Sequence, residues 1–148
     1  MISYTDGATS NNGYSNSQGG WAFIIIKDNE IIYKNNGSIK NSTNNICELT
    51  AVIKACEYLE KYYPLENNII YTDSAYIANC YIQKWYKKWI NNNWLTSKKT
   101  KVLNQSLWES LIPYFEKNNF CFEKVKGHAD DKFNKIVDGL AVEAKKLC

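Results

Sequence analysis

The stretch Ile-Ser-Tyr-Thr-Asp-Gly at residues 2–7 favours a β-strand and ends in an acid followed by a glycine. Nearly the same phrase, Ile-Ile-Tyr-Thr-Asp-Ser, returns at residues 69–74. If these strands lie side by side and parallel, their carboxyl ends place Asp6 next to Asp73. Like charges resist joint ionisation, and a hard divalent cation such as Mg²⁺, which prefers oxygen ligands, would relieve the repulsion. The alternative is that each aspartate only caps the turn after its strand.

The composition is that of a globular protein with a single domain over residues 1–148, at 45% hydrophobic and 22% charged residues. No apolar run approaches the roughly 20 residues that span a bilayer, and a strand that begins at residue 2 leaves no room for a signal peptide, so we expect no membrane association. The five cysteines are odd in number and lack Cys-x-x-Cys spacing. This pattern predicts free thiols in a cytoplasmic or other reducing compartment.

The first third of the chain predicts an antiparallel arm. Residues 8–19 are polar and dense in turn formers, which predicts a loop. Apolar, β-prone runs separated by a tight turn then predict strands at 20–27 and 30–34, the latter extended by residues 37–40, so that three antiparallel strands open the chain.

A helix is predicted next, because residues 42–45 offer several N-caps and apolar residues then recur at a 3.6-residue period as far as Pro64. Glu48 is predicted in the first turn of this helix, where the alternative is that it only closes a capping box or complements the helix dipole. The strand at 69–73 follows. A strand, a helix and a parallel strand form a crossover unit, which supports Asp6 and Asp73 as neighbours.

Residues 84–101 carry the strongest charge asymmetry, with six lysines, three tryptophans and no acid. Lysines interleaved with aromatic residues suit a nucleic-acid backbone, since the lysines neutralise phosphates and the aromatic rings pack on sugars. The alternative is a solvated basic helix whose tryptophans face inward, and Trp85 and Trp89 do fall on one helix face.

The last third predicts a helix over 103–116, a strand over 120–125, a loop at 126–131 and a helix over 132–146. Asp138 lies on the last helix among apolar neighbours, which is unexpected unless the acid is paired or binds a cation. The only histidine of the sequence, His128, lies in the preceding loop.

Taken together, the motifs resemble those of ribonuclease H, type 1. They are Thr-Asp-Gly at 5–7, Gly-Gly-Trp at 19–21, Thr-Asn-Asn-x-x-Glu-Leu-x-Ala at 43–51, Thr-Asp-Ser at 72–74, Val-Lys-Gly-His at 125–128, and Asn134 followed by Asp138. The resemblance implies an α/β fold with a mixed five-stranded sheet, three strands antiparallel and the others parallel, flanked by helices.

The resemblance further implies an endonuclease that hydrolyses the RNA strand of RNA–DNA hybrids and leaves 3′-hydroxyl and 5′-phosphate ends. Asp6, Glu48, Asp73 and Asp138 would bind two Mg²⁺ ions, with Mn²⁺ as a possible substitute. His128 matches the family's loop histidine, which aids proton transfer or product release. The expected partner is the hybrid duplex, bound by a monomer. Its contacts would come from Gly7, Asn12, Thr43, Asn44, Asn45, Ser74 and Asn134 and, in a basic protrusion at 84–101, from Trp85, Lys87, Lys88, Lys98 and Lys99.

Three other functions compete with this interpretation. One is a nuclease of the same fold that acts on another substrate, such as a DNA-junction resolvase or an integrase-like strand transferase. Another is a non-catalytic hybrid-binding module, which the presence of all four acids disfavours. The last is a fragment of a reverse transcriptase, and a strand that starts directly after Met1 favours a free-standing enzyme.

Overall fold

The fold is built on one mixed β-sheet, seen in a computed structural model that describes residues 1–10, 16–126 and 132–147. Within these residues the sheet has five strands in the spatial order β3-β2-β1-β4-β5. β1, β2 and β3 are antiparallel neighbours, and β4 and β5 run parallel to β1. The predicted fold class is therefore confirmed. The strands are β1 (Ile2–Ser10), β2 (Gln18–Lys27), β3 (Glu30–Lys40), β4 (Asn68–Thr72) and β5 (Phe120–Lys124).

Two of the helices begin directly after a residue whose side chain caps the first turn. Thr43 Oγ1 accepts a hydrogen bond from the Ile46 backbone N–H at 3.2 Å, and Ser74 Oγ accepts one from Ile77 N–H at 3.2 Å. The helices are α1 (Asn44–Tyr62), α2 (Ala75–Gln83), α3 (Trp85–Asn91), α4 (Gln105–Phe115) and α5 (Lys132–Lys145). Among the described helices, none is long and apolar enough to cross a membrane.

Two predicted boundaries are wrong. β1 does not end at Asp6 but continues to Ser10, because its residues pair with β2 as far as Gln18, so residues 8–10 and 18–19 of the predicted loop belong to strands. The predicted helix over 103–116 begins later. Asn104 has a left-handed backbone, with φ of 62°, so Leu103 precedes the helix and is 75% exposed instead of facing the core.

Helices α1 and α5 lie on opposite faces of the sheet. A Cβ placed on Gly19 would touch Cys47 of α1, whereas one placed on Gly20 would touch Ala141 of α5. Successive residues of a strand point to opposite faces, so these two contacts assign one helix to each face. This arrangement lets both helices deliver side chains to the same strand.

The main core lies between the sheet and helices α1, α2 and α4. Trp108 is fully buried there, and its indole N–H donates a hydrogen bond to the Tyr76 hydroxyl at 3.2 Å. This core supports the strands and helices that carry the candidate site. Four cysteines in the described residues are free thiols, as predicted, namely Cys47, Cys56, Cys80 and Cys121.

Candidate active site

The register of two parallel strands brings Asp6 and Asp73 together. β1 pairs with β4 as far as Tyr4 and Tyr71, and each aspartate lies two residues beyond its paired tyrosine. The Thr5 hydroxyl donates a hydrogen bond to the Tyr71 carbonyl at 2.9 Å and holds the strands together at this end. The predicted proximity of the two acids is confirmed, because carboxylate oxygens of both belong to one cluster.

Glu48 of α1 completes that cluster. One carboxylate oxygen each from Asp6, Glu48 and Asp73 lie within 4.8 Å of one another. Its predicted place in the first helical turn is wrong, since Thr43 is the cap and the first turn contains no acid. The alternative role in a capping box or at the helix dipole therefore does not apply to Glu48.

Asp138 approaches from the other face of the sheet, on α5. The Asp6 carboxyl donates a hydrogen bond to the carboxyl group of Asp138, and this bond contributes to a raised pKa of Asp6. Asp138 is exposed, whereas Asp6 is only 3% exposed. The structure thus brings all four acids predicted from the sequence together around Asp6 of β1.

Burial and mutual repulsion make the cluster resist ionisation. Burial, followed by the negative charge of Asp73, raises the pKa of Asp6 from its ordinary value of 3.8 to about 8. Burial, followed by the charges of Asp6 and Asp73, raises the pKa of Glu48 from 4.5 to about 11. Protons therefore stay on this cluster at neutral pH unless another cation replaces them.

The donor set fits a hard divalent cation. Glu48 Oε2 is buried and accepts no hydrogen bond from the described residues. A buried carboxylate oxygen without a partner is costly, and a cation coordinated by oxygen atoms would satisfy it. Clustered carboxylates that form no salt bridge with a lysine of the described residues also match the ligands that Mg²⁺ uses at phosphate-processing sites.

Several predicted substrate contacts surround the cluster, but two of them already serve the backbone. The Thr43 and Ser74 oxygens cap α1 and α2. Gly7 contributes its N–H, which donates to Asp6 Oδ1 at 2.8 Å. The remaining positions are Asn44, which accepts a hydrogen bond from the Thr9 hydroxyl, Asn45, which is exposed on α1, and Asn134, half-buried one turn before Asp138.

Asn12 and His128 lie outside the described residues, so their predicted roles remain predictions.

The basic segment 84–101 folds as α3 followed by a small turn closed by the Leu95–Lys101 bridge. Its predicted inward-facing tryptophans are confirmed in part. Trp85 and Trp89 are half-buried, with ring centroids 6.4 Å apart. All six lysines are exposed, including the predicted contacts Lys87, Lys88, Lys98 and Lys99.

A groove of about 580 Å³ runs through this segment. It includes Trp85 and Lys88 from the predicted set, together with residues that the prediction missed. Tyr76 is the most informative of these, since it lies only three residues after Asp73 in the sequence. The sequence alone shows that Tyr76 follows Asp73 by three residues, so this signal could have identified it. The other missed residues include Trp89, Asn92, Thr96, Ser97, Thr100 and Lys101.

Comparison with known proteins agrees with the site. The sequence model described as RNase H matches residues 1–146. The chain belongs to the RNase H family. It is 40% identical over 146 residues to the ribonuclease H of Clostridium botulinum, covering 97% of this chain and 94% of that protein. This membership confirms the predicted family and the predicted enzyme class, an endoribonuclease.

Solved structures agree on the fold. The PFV RNase H domain superposes with a TM-score of 0.80 at 23% identity, covering 99% of this chain and 94% of that domain. LC11-RNase H1, solved in complex with an RNA/DNA hybrid, gives a TM-score of 0.70 at 22% identity, covering 99% and 96%.

Proposed function

We propose that this member of the RNase H family hydrolyses the RNA strand of RNA–DNA hybrids and leaves 3′-hydroxyl and 5′-phosphate ends. The reaction would use two divalent cations, with Mg²⁺ as the preferred ion. The observation that carries the proposal is the carboxylate cluster, in which Asp6, Glu48 and Asp73 approach within 4.8 Å and Asp138 bonds to Asp6. The RNA/DNA hybrid bound to LC11-RNase H1 supports the choice of substrate.

Each acid has a part that follows from its position. Asp6, the most buried of the four, would hold the cations together with Glu48, Asp73 and Asp138. When bound, the cations would lower the pKa of the attacking water and neutralise charge on the reacting phosphate and the leaving oxygen. Strand β1, the end of β4 and helices α1 and α5 hold the four carboxylates in place. His128 is proposed to assist proton transfer or product release from its loop.

Recognition of the hybrid would divide between two surfaces. Near the acids, Asn45 and Asn44 at the start of α1 present amide groups to the 2′-hydroxyls that distinguish RNA from DNA. Further out, the groove of the basic protrusion offers lysines for phosphates and half-buried tryptophans for sugars. Since lysine provides a point charge and not a bidentate fork, these phosphate contacts should be strongly salt-dependent.

The test is cleavage of a labelled duplex series, RNA–DNA, RNA–RNA and DNA–DNA, with Mg²⁺ and with EDTA. We expect metal-dependent cutting of the RNA strand in the hybrid only. Binding of the hybrid without cutting would favour a non-catalytic module, and cutting of DNA–DNA or of branched DNA would favour a resolvase. Either of these results would contradict the proposal.

Neutralising the protrusion should weaken binding, because its lysines would bind phosphates through salt-dependent interactions. The variant replaces Lys87, Lys88, Lys98 and Lys99 by glutamine, all of which are exposed. We expect weaker hybrid binding and a salt slope flatter by roughly 0.7–0.9 for each phosphate that is no longer neutralised. The measurement is the dissociation constant at several salt concentrations by fluorescence anisotropy.

A control replaces two exposed lysines elsewhere, Lys27 and Lys34 at the β2–β3 end of the sheet, by glutamine, and its slope is compared with that of Lys87→Gln/Lys88→Gln, which removes the same number of charges from the protrusion. This control should leave the slope nearly unchanged. Equal slopes for the protrusion variant and the wild type would show that the protrusion does not touch phosphate.

A further inference from the structure

We propose that Gly7, supported by Gly19 and Gly20, is a positioning residue for the carboxylate cluster. The missing side chains let helices α1 and α5 approach the sheet closely enough for Glu48 and Asp138 to reach Asp6. This inference rests on the proposed function, because it assigns these glycines a role in holding the cations. It gives Gly7 a role different from the substrate contact predicted from the sequence.

Gly7 meets the backbone of α1 directly. A Cβ added there would lie 2.7 Å from the carbonyl carbon and Cβ of Cys47 and 2.7 Å from the backbone nitrogen of Glu48. Two of these three atoms are main-chain atoms of a packed helix, so no flexible side chain can move aside. The helix itself would have to shift, and the nitrogen in contact belongs to the residue that carries the carboxylate.

Gly19 and Gly20 fix the neighbouring strand in the same way. A Cβ on Gly19 would lie 2.6 Å from Cys47 Sγ, on the same helix. A Cβ on Gly20 would meet Ala141 O and Lys145 N of α5, one and two turns after Asp138. The two helices that supply Glu48 and Asp138 therefore both pack directly against glycine residues of the sheet.

Glycine in a strand weakens it, so a reason is needed for three glycines in paired strands beside one site. Close approach of another backbone is such a reason. Gly139 shows that not every glycine near the acids lies close to another backbone. Although Gly139 follows Asp138 directly, a Cβ there would meet nothing within 4 Å.

The expected consequence is a change in cation affinity. Altering a group that orients a metal ligand typically weakens metal binding 10–100-fold. We expect Gly7→Ala to bind Mg²⁺ at least about tenfold more weakly, because the shifted helix moves Glu48 away from Asp6. Isothermal titration calorimetry of the metal-free protein with Mg²⁺ measures this without using activity, and circular dichroism verifies that the variant is folded.

Two controls separate positioning from stability. Gly139→Ala should keep the wild-type affinity, since its methyl group meets nothing. Gly37→Ala should lower the melting temperature but keep the affinity, because its methyl group would press on the Trp21 ring, 2.6 Å away, and not on a helix that carries an acid. Wild-type affinity in folded Gly7→Ala, or an equal loss in Gly37→Ala, would overturn the inference.

Gly19→Ala provides a second variant in case Gly7→Ala does not fold, because its nearest contact is a removable side-chain sulfur. It should lose affinity, and Gly19→Ala/Cys47→Ala should regain part of it. Wild-type affinity in folded Gly19→Ala would overturn the inference. Absence of Mg²⁺ binding by the wild type would instead overturn the proposed function, and this inference with it.

Discussion

Asp73→Asn is expected to bind an RNA–DNA hybrid as well as the wild type does and to cut its RNA strand at least about a thousandfold more slowly, a barrier increase of about 4 kcal/mol. An amide is a neutral and poor ligand for a hard cation. Asp73 is exposed at the end of β4, so the substitution disturbs no core packing. It also removes a negative charge near the phosphates, which favours binding if it has any effect.

Single-turnover cleavage and anisotropy on the same labelled hybrid separate the two effects. Asp28→Asn is the matched control, since it makes the same chemical change at an exposed residue in the β2–β3 turn, where φ is 51° and asparagine is well tolerated. That control should cut normally. Cleavage by Asp73→Asn at close to the wild-type rate would exclude the proposed cation-dependent mechanism.

The meeting of Asp6 and Asp73 was predictable because it depends on a local pattern and one general rule. The repeated strand phrase and the strand–helix–strand unit favour two parallel strands. The register in the structure then sets each aspartate at the equivalent position beyond its strand partner. The argument from apolar neighbours does not hold for Asp138, which is exposed on α5 beside the buried Val137 and Ala141, so its place in the cluster was predictable only from the family resemblance.

The errors arise where long-range pairing overrides local preference. Residues 8–10 have the composition of a turn, yet they extend β1 because β2 lies beside them and pairs with them. The start of α4 depends on a left-handed residue, Asn104, which the apolar period does not reveal. Leu103 consequently belongs to the surface although it fits the helical stripe.

Steric roles are even less visible in the sequence. The Gly-Gly pair at 19–20 is evident as a motif, but its two neighbours lie on different helices and opposite faces of the sheet. Such a role requires knowledge of where α1 and α5 cross the strands. The same holds for the groove, whose missed member Tyr76 comes from a different helix than the lysines do.

The metal-free protein is expected to lose stability as pH rises. Asp6 and Glu48 have a raised pKa in the folded state, to about 8 and about 11, so the folded protein binds their protons more tightly than the unfolded chain does. The stability that this provides is fully present below pH 4 and is lost progressively as pH rises through 8. Thermal unfolding in EDTA between pH 4 and pH 9 measures the decline.

Mg²⁺ should reverse this decline, because cations that bind only the folded state stabilise it and replace the protons. Glu48→Gln should raise the melting temperature of the metal-free protein at pH 8 by roughly 5 °C, because the amide is neutral without the proton that Glu48, with a pKa of about 11, must hold in the folded state, and it should abolish most of the Mg²⁺ effect. Glu57→Gln, an exposed substitution on the same helix, should change neither. A flat pH profile in EDTA, or a Glu48→Gln variant less stable than the wild type at pH 8, would show that the four acids are not held together under strain.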